Sequence, residues 1–276
     1  KLFPILGFAL FGSTTFSQVA KNYVTIESST GTWCSACPAV ATIFNNMEAS
    51  GKKVALIKNH TIDSYATVDS GLRNSYYAVS YYPQAFIDGE GVPEASWSNA
   101  SVFNTMYNIA IAEMSPFQIT LNVLESGNTV GVSGTVTKVS AVSSTNLSLH
   151  IVVTESNVGE LNHINRKMAP SWFGTPLDFS SSTTYDFNES ITLDASWDVN
   201  NLKIIVFVQD NSTKEIYQTN QGSIIDAAGT EEHTLIRTRI YPNPSIDQLT
   251  IESNAIQLIE LMQLSGEMVL TQTGNS

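Results

Sequence analysis

The chain has 276 residues, a hydrophobic content of 42% and a formal net charge of −12. That is apolar material for two modest cores plus appendages, and it argues against wholesale disorder. The 13 basic residues are scattered among 25 acidic ones, which excludes the Lys and Arg clusters that phosphate binding needs, so no nucleic-acid partner is expected.

Lys1 followed by the apolar run of residues 2–11 has the charge-then-apolar order of a secretory signal and is too short to span a bilayer. Thr15 and Ser17 are the small residues a signal peptidase reads. Residues 1–17 are therefore expected to be a signal peptide, with the mature chain beginning at Gln18 and no transmembrane segment in it. An exported destination permits a disulfide and suits an acidic, soluble surface.

Residues 18–115 alternate short apolar runs with helical periodicity, the sequence form of a βαβ-type domain. Residues 23–26 read as a strand. Next comes the run from Gly31 to Pro38, which holds the chain's two cysteines, Cys34 and Cys37, with Trp33 before them. Val40, Ile43, Phe44 and Met47 follow at one helix face and are expected to be core. A second strand is expected over 53–58, a helix over 68–78 and a third strand over 84–87, stopped by the turn dipeptide Asp88-Gly89. A helix over 98–113, opened by Ser and Asn caps, closes the unit.

Pro116 opens a second regime. Residues 117–124, 129–139, 146–154, 183–193, 202–209 and 215–219 look like strands punctuated by Gly, Asn, Asp and Ser, which favours a β-sandwich over 116–220. In the third of these, Leu147, Leu149, Ile151 and Val153 share a face, so His150 is expected on the opposite, wetter side. Residues 155–175 read as a loop. A linker over 221–235 precedes a small all-β unit over 236–276, with strands at 248–252, 255–264 and 267–273.

Two thiols two residues apart at a helix start can close a small disulfide ring, a geometry suited to exchange chemistry. A thiolate is the attacking species, and the free amides and dipole of a helix N-terminus stabilise it. Pro38 costs little in that first turn. Cys34 is assigned as the nucleophile and Cys37 as the resolving thiol. An inert structural disulfide is the competing reading. Zinc is disfavoured, because none of the four histidines has the spacing to complete a ligand set. Tyr82-Pro83 sits just before the third strand, where a proline either takes the cis form and shapes a groove beside the cysteines or makes an ordinary trans turn.

The motif Trp33-Cys34-Ser35-Ala36-Cys37-Pro38 with the downstream Tyr82-Pro83 makes residues 20–114 resemble thioredoxin-fold proteins. The resemblance implies Cys34 and Cys37 as a redox pair and Pro83 as a cis-proline. Glu27 departs from it: its strand parity differs from that of the buried proton-shuttling carboxylate of thioredoxins, a position that Ser28 matches. The wider layout looks like the secreted outer-membrane-protein-28-type family, in which a thioredoxin-like domain precedes a β-sandwich. That likeness rests on Glu27 through Pro38, on His60 at the end of the second strand, on residues 152–155, and on His163 and Arg166 ahead of Trp172-Phe173-Gly174.

Tyr241-Pro242-Asn243-Pro244 and the short strands after it resemble the C-terminal sorting domain of the type IX secretion system. This implies that secretion machinery as a partner and a secreted or outer-membrane surface location in a Gram-negative bacterium. Such domains continue through a further strand and a basic end, so this one is expected to run on past Ser276. The expected activity is thiol-disulfide exchange on exported or surface proteins, with no cofactor. Since a third cysteine is lacking, turnover would need an external dithiol or quinone-linked partner, or small thiols. A surface binding protein or adhesin, built on the same scaffold without catalysis, is the alternative.

Overall fold

The computed structural model describes residues 17–226 and, beyond them, four strands: Arg239–Tyr241, Thr250–Glu252, Leu258–Met262 and Met268–Thr273. The expected signal segment, except for Ser17, lies outside the described residues, as do most of the expected linker and Pro242, Asn243 and Pro244. Residues up to Ala227 form one compact unit and those from Ala228 a second. Among the described residues no helix is long and apolar enough to cross a membrane.

The first unit begins with β1 (Val19–Ala20) and β2 (Val24–Thr30), followed by α1 (Cys37–Ala49), β3 (Val54–His60) and α2 (Val68–Tyr76). After these come β4 (Gln84–Ile87), β5 (Glu90–Gly91) and α3 (Ala100–Ala112). β2 pairs in parallel with β3 and antiparallel with β4. The α1 stripe Val40, Ile43, Phe44 and Met47 is buried, packed with Phe103 and Tyr107 of α3 on Val24, Ile26, Val54 and Leu56 of the sheet. α2 starts on a capping box in which Thr67 and Ser70 satisfy each other's amides. Its buried face is polar, consisting of Ser70, Arg73 and Asn74.

β6 (Met114–Ser115) pairs with β1 and leads into β7 (Phe117–Ile119), β8 (Asn122–Ser126), β9 (Thr129–Lys138) and β10 (Leu147–Glu155). Here the structure corrects the sequence reading. Residues 155–175 hold two strands, β11 (Ile164–Ala169) and β12 (Thr175–Leu177), where a loop was expected. β11 pairs antiparallel with β10 and parallel with β3, aligning Ile164 with Lys58, and the Lys58 N–H donates to the His163 carbonyl at 2.7 Å.

β13 (Thr184–Thr192), β14 (Leu202–Asp210), β15 (Ile216–Ser223) and β16 (Ile225–Asp226) complete the unit. A nine-stranded mixed sheet therefore runs β15-β14-β10-β11-β3-β2-β4-β5, with β12 on β10, and a five-stranded sheet runs β13-β9-β8-β16, with β7 on β9. The architecture is mixed α/β, mostly sheet with few helices. One core fills the space between the sheets, where Leu149, Ile151, Ile204 and Val206 meet Phe117, Val130, Val132 and Phe187.

The opposite face of β10 is not wet. His150 is 1% exposed and stacked on Phe207, with ring centroids 4.8 Å apart. A further cluster, including Ile57 of β3, Met168 of β11 and Phe207 of β14, covers that side of the strands. A strand buried on both faces loses the alternation that makes its sides distinguishable in sequence.

In the second unit β17 (Arg239–Tyr241) pairs antiparallel with β18 (Thr250–Glu252), and β19 (Leu258–Met262) with β20 (Met268–Thr273).

Candidate functional site

Cys37 opens α1, Cys34 lies in the turn before it, and the two form a disulfide. The Cys37 N–H donates to Cys34 Sγ at 3.1 Å, and the Cys34 N–H to the Gly31 carbonyl at 3.0 Å. Pro38 occupies the first turn of α1, where no intrahelical partner is lost. The two cysteines are 7% and 6% exposed, yet both line a cleft of about 340 Å³. Ser28, Thr30, Lys58 and His60 form its inner wall, and Glu160 and Leu161 its lip.

Trp33 stands beside the disulfide half exposed, its ring edge-on to Tyr82 with centroids 5.3 Å apart and planes at 71°. Its indole N–H donates to the Thr61 carbonyl at 2.9 Å. Any Cβ at position 31 would strike this indole ring, so the close approach requires Gly31. The Tyr82-Pro83 peptide is cis and Pro83 is buried at the entry to β4. Ala169-Pro170 is cis as well, at the end of β11, which sequence reasoning did not pick out. Ile62, next to the Trp33 anchor, is 83% exposed with φ 54°, a left-handed conformation unusual for a β-branched residue.

His60 ends β3 with Nδ1 2.8 Å from Asp63 Oδ2, the oxygen that also accepts the Thr32 N–H at 2.8 Å. Burial lowers the His60 pKa against the pull of Asp63, so the ring is held neutral. Asp63 itself is pushed up by burial, but its bonds from His60 and the Thr32 amide outweigh this and hold it below the usual carboxylate range. The Asp63–His60 pair thus ties the motif turn to the end of β3.

Glu27 points away from the cysteines and accepts from Arg73 Nε at 2.9 Å, Arg73 Nη2 at 2.7 Å and the Tyr77 hydroxyl at 2.8 Å. Ser28, one residue on, takes the cleft side of the strand. Opposite Ser28 in register lies Lys58. Lys58 is 4% exposed, and burial pushes its ammonium down to about 8, with Glu48 opposing. It shares parity with the buried Val54 and Leu56, and a charged residue at an inward position of a strand is the signal that would have marked it. His163 and Arg166 stand outside the cleft lining. His163 Nε2 is 3.3 Å from Glu48, and Arg166 Nε donates to Glu155 at 2.6 Å.

Residues 239–276, which lie within the second unit, match the family described as the secretion system C-terminal sorting domain. The chain is accordingly a secreted or cell-surface protein of a Gram-negative bacterium, with the secretion machinery as a partner. Among solved structures it is similar to HBP35 of Porphyromonas gingivalis, with a TM-score of 0.65 at 15% identity over 92% of this chain and 91% of that one. A domain of the outer membrane lipoprotein Omp28 from the same organism aligns with a TM-score of 0.35 at 15% identity, over 41% of this chain and 90% of that one. No curated protein matches the chain in sequence.

Proposed function

We propose that the chain is an exported thiol-disulfide oxidoreductase acting on secreted or surface proteins through Cys34 and Cys37. In this reading, residues 18–115 are a thioredoxin-like domain, 116–220 an Ig-like β-sandwich, 221–235 a linker and 236–276 the sorting domain. The observation that carries it is the disulfide at the N-terminus of α1 in the wall of an open cleft, with the Cys37 N–H directed at Cys34 Sγ. That amide and the helix dipole favour negative charge on Cys34 once the bridge is reduced.

In the reduced protein the Cys34 thiolate attacks a client disulfide, forming a mixed disulfide and releasing one client thiolate. Cys37 then displaces the second client sulfur from Cys34, so the client gains two electrons and the protein regains its bridge. An external dithiol resets the centre: one of its sulfurs attacks Cys34 and releases Cys37, and its second sulfur then displaces Cys34, so that the dithiol leaves oxidised and both cysteines are reduced. Trp33 and Tyr82 supply the surface against which an extended client segment rests and the buried cis-Pro83 shapes it from within, while Glu27 and His60 hold the strands behind it.

The low exposure of both cysteines favours one competing reading, a surface binding protein whose bridge is inert. Insulin reduction by the full chain separates the two. Wild type is expected to be active and Cys34→Ser inactive, whereas equal rates in both, or a reduction potential well below the glutathione range, would remove the oxidoreductase reading.

A further inference from the structure

The resolving step needs somewhere for the Cys37 proton to go. A neutral thiol attacks poorly, and Glu27, the acidic residue nearest the motif in sequence, is committed to Arg73 on the other side of the sheet. Inside the cleft the titratable side chains are Lys58, His60 and Glu160. His60 is engaged by Asp63 through Nδ1, and its Nε2 is buried without a partner. Glu160 belongs to the lip. Lys58 is the one of the three that lies in the wall across from Ser28 with no anchor of the Asp63 kind: its Nζ has no hydrogen-bond or ion-pair partner among the described residues.

We propose that Lys58 Nζ accepts the proton of the Cys37 thiol as Cys37 attacks the mixed disulfide, and returns it when the bridge is reduced. This inference rests on the oxidoreductase reading above. As neutral amine, Lys58 takes the proton and leaves a thiolate beside a new ammonium. The thiolate forms the Cys34–Cys37 bond and the client sulfur departs with its electron pair. In the reverse direction an incoming dithiol opens the bridge at Cys34, Cys37 leaves as thiolate, and the ammonium protonates it.

The surroundings allow a lysine to do this near neutral pH. Burial lowers its pKa to about 8, so a useful fraction is unprotonated. Glu48 on α1 opposes that lowering, but its carboxylate is also paired with Lys203 at 3.2 Å and lies 3.3 Å from His163 Nε2. His163, before β11, and His60, on β3, both feel the charge of Lys58, and burial keeps both rings neutral. Among the described residues no second carboxylate pins the ammonium.

The test is stopped-flow reaction of the reduced full chain with dithiodipyridine, an uncharged aromatic disulfide whose first chromophore release reports Cys34 and whose second reports Cys37. Lys58→Met is expected to leave the first phase in place and slow the second by about 100-fold near neutral pH. The inflection of the second phase near pH 8 should disappear. A second phase unchanged in rate and pH profile overturns the assignment. Absence of both phases in wild type refutes the oxidoreductase reading itself, and this inference with it. Should Lys58→Met not fold, titration of carbon-labelled lysine in wild type decides: the Lys58 midpoint must be higher in the reduced than in the oxidised chain, and equal midpoints overturn the proposal.

Discussion

Arg73 is 0% exposed and joins both halves of the large sheet. It gives two hydrogen bonds to Glu27, at 2.9 and 2.7 Å, one to the Tyr77 hydroxyl at 3.1 Å and one to Gln209 of β14 at 2.7 Å. Arg73→Met keeps most of the stem and removes the charge. Glu27, itself 2% exposed, would keep only the Tyr77 hydroxyl and the Asn59 amide, the latter at 3.2 Å. Losing two charge-assisted bonds at about 1.5–3 kcal/mol each and leaving a buried carboxylate uncompensated gives an expected loss of about 3–5 kcal/mol. The assay is urea unfolding followed by circular dichroism, with an unchanged m-value showing that the same surface unfolds. In a Glu27→Gln background no buried carboxylate is stranded, so the same substitution should cost about 2 kcal/mol less. A loss below about 1 kcal/mol for Arg73→Met, or simple additivity in the double variant, would refute the argument.

Burial, reinforced by the charge of Arg73, lowers the His150 pKa well below 6.5. Above that pH the ring is neutral in both states. As pH falls through 6.5 the unfolded chain takes up a proton that the folded chain refuses, so stability drops toward acid by up to about 1.4 kcal/mol per pH unit. His150→Leu should flatten the fall in urea midpoint between about pH 7 and pH 5, and an unchanged slope would count against it. Deleting residues 239–276 should leave the chain behind the outer membrane, as read by cell fractionation, and undiminished surface display would contradict the sorting assignment.

The elements that sequence described best are those with one buried face. The α1 stripe follows helical spacing, and Gln84–Ile87 ends at its turn dipeptide as expected. β11 was hidden because Arg166 and Lys167 interrupt a six-residue strand, and because one of its partners, β3, lies about a hundred residues earlier in the chain. His150 was misplaced because alternation reports a side only when the other side is wet. The Cys34–Cys37 bridge was legible from local pattern, and the cis form of Tyr82-Pro83 was one of the two forms that pattern left open. Lys58 was marked only by its parity with Val54 and Leu56, and Arg73 not at all, since a lone cation in a polar helix gives no sign that the helix turns it inward.

The seam between β3 and β11 also decides how the molecule can be cut. A piece ending at residue 115 would present β3 with a bare margin of amides and carbonyls, the kind of template on which stray strands assemble. The same piece would lack Glu160 and Leu161, so its cysteines would meet a wider and differently shaped opening than in the intact chain. Chemistry measured on such a fragment would describe another molecule.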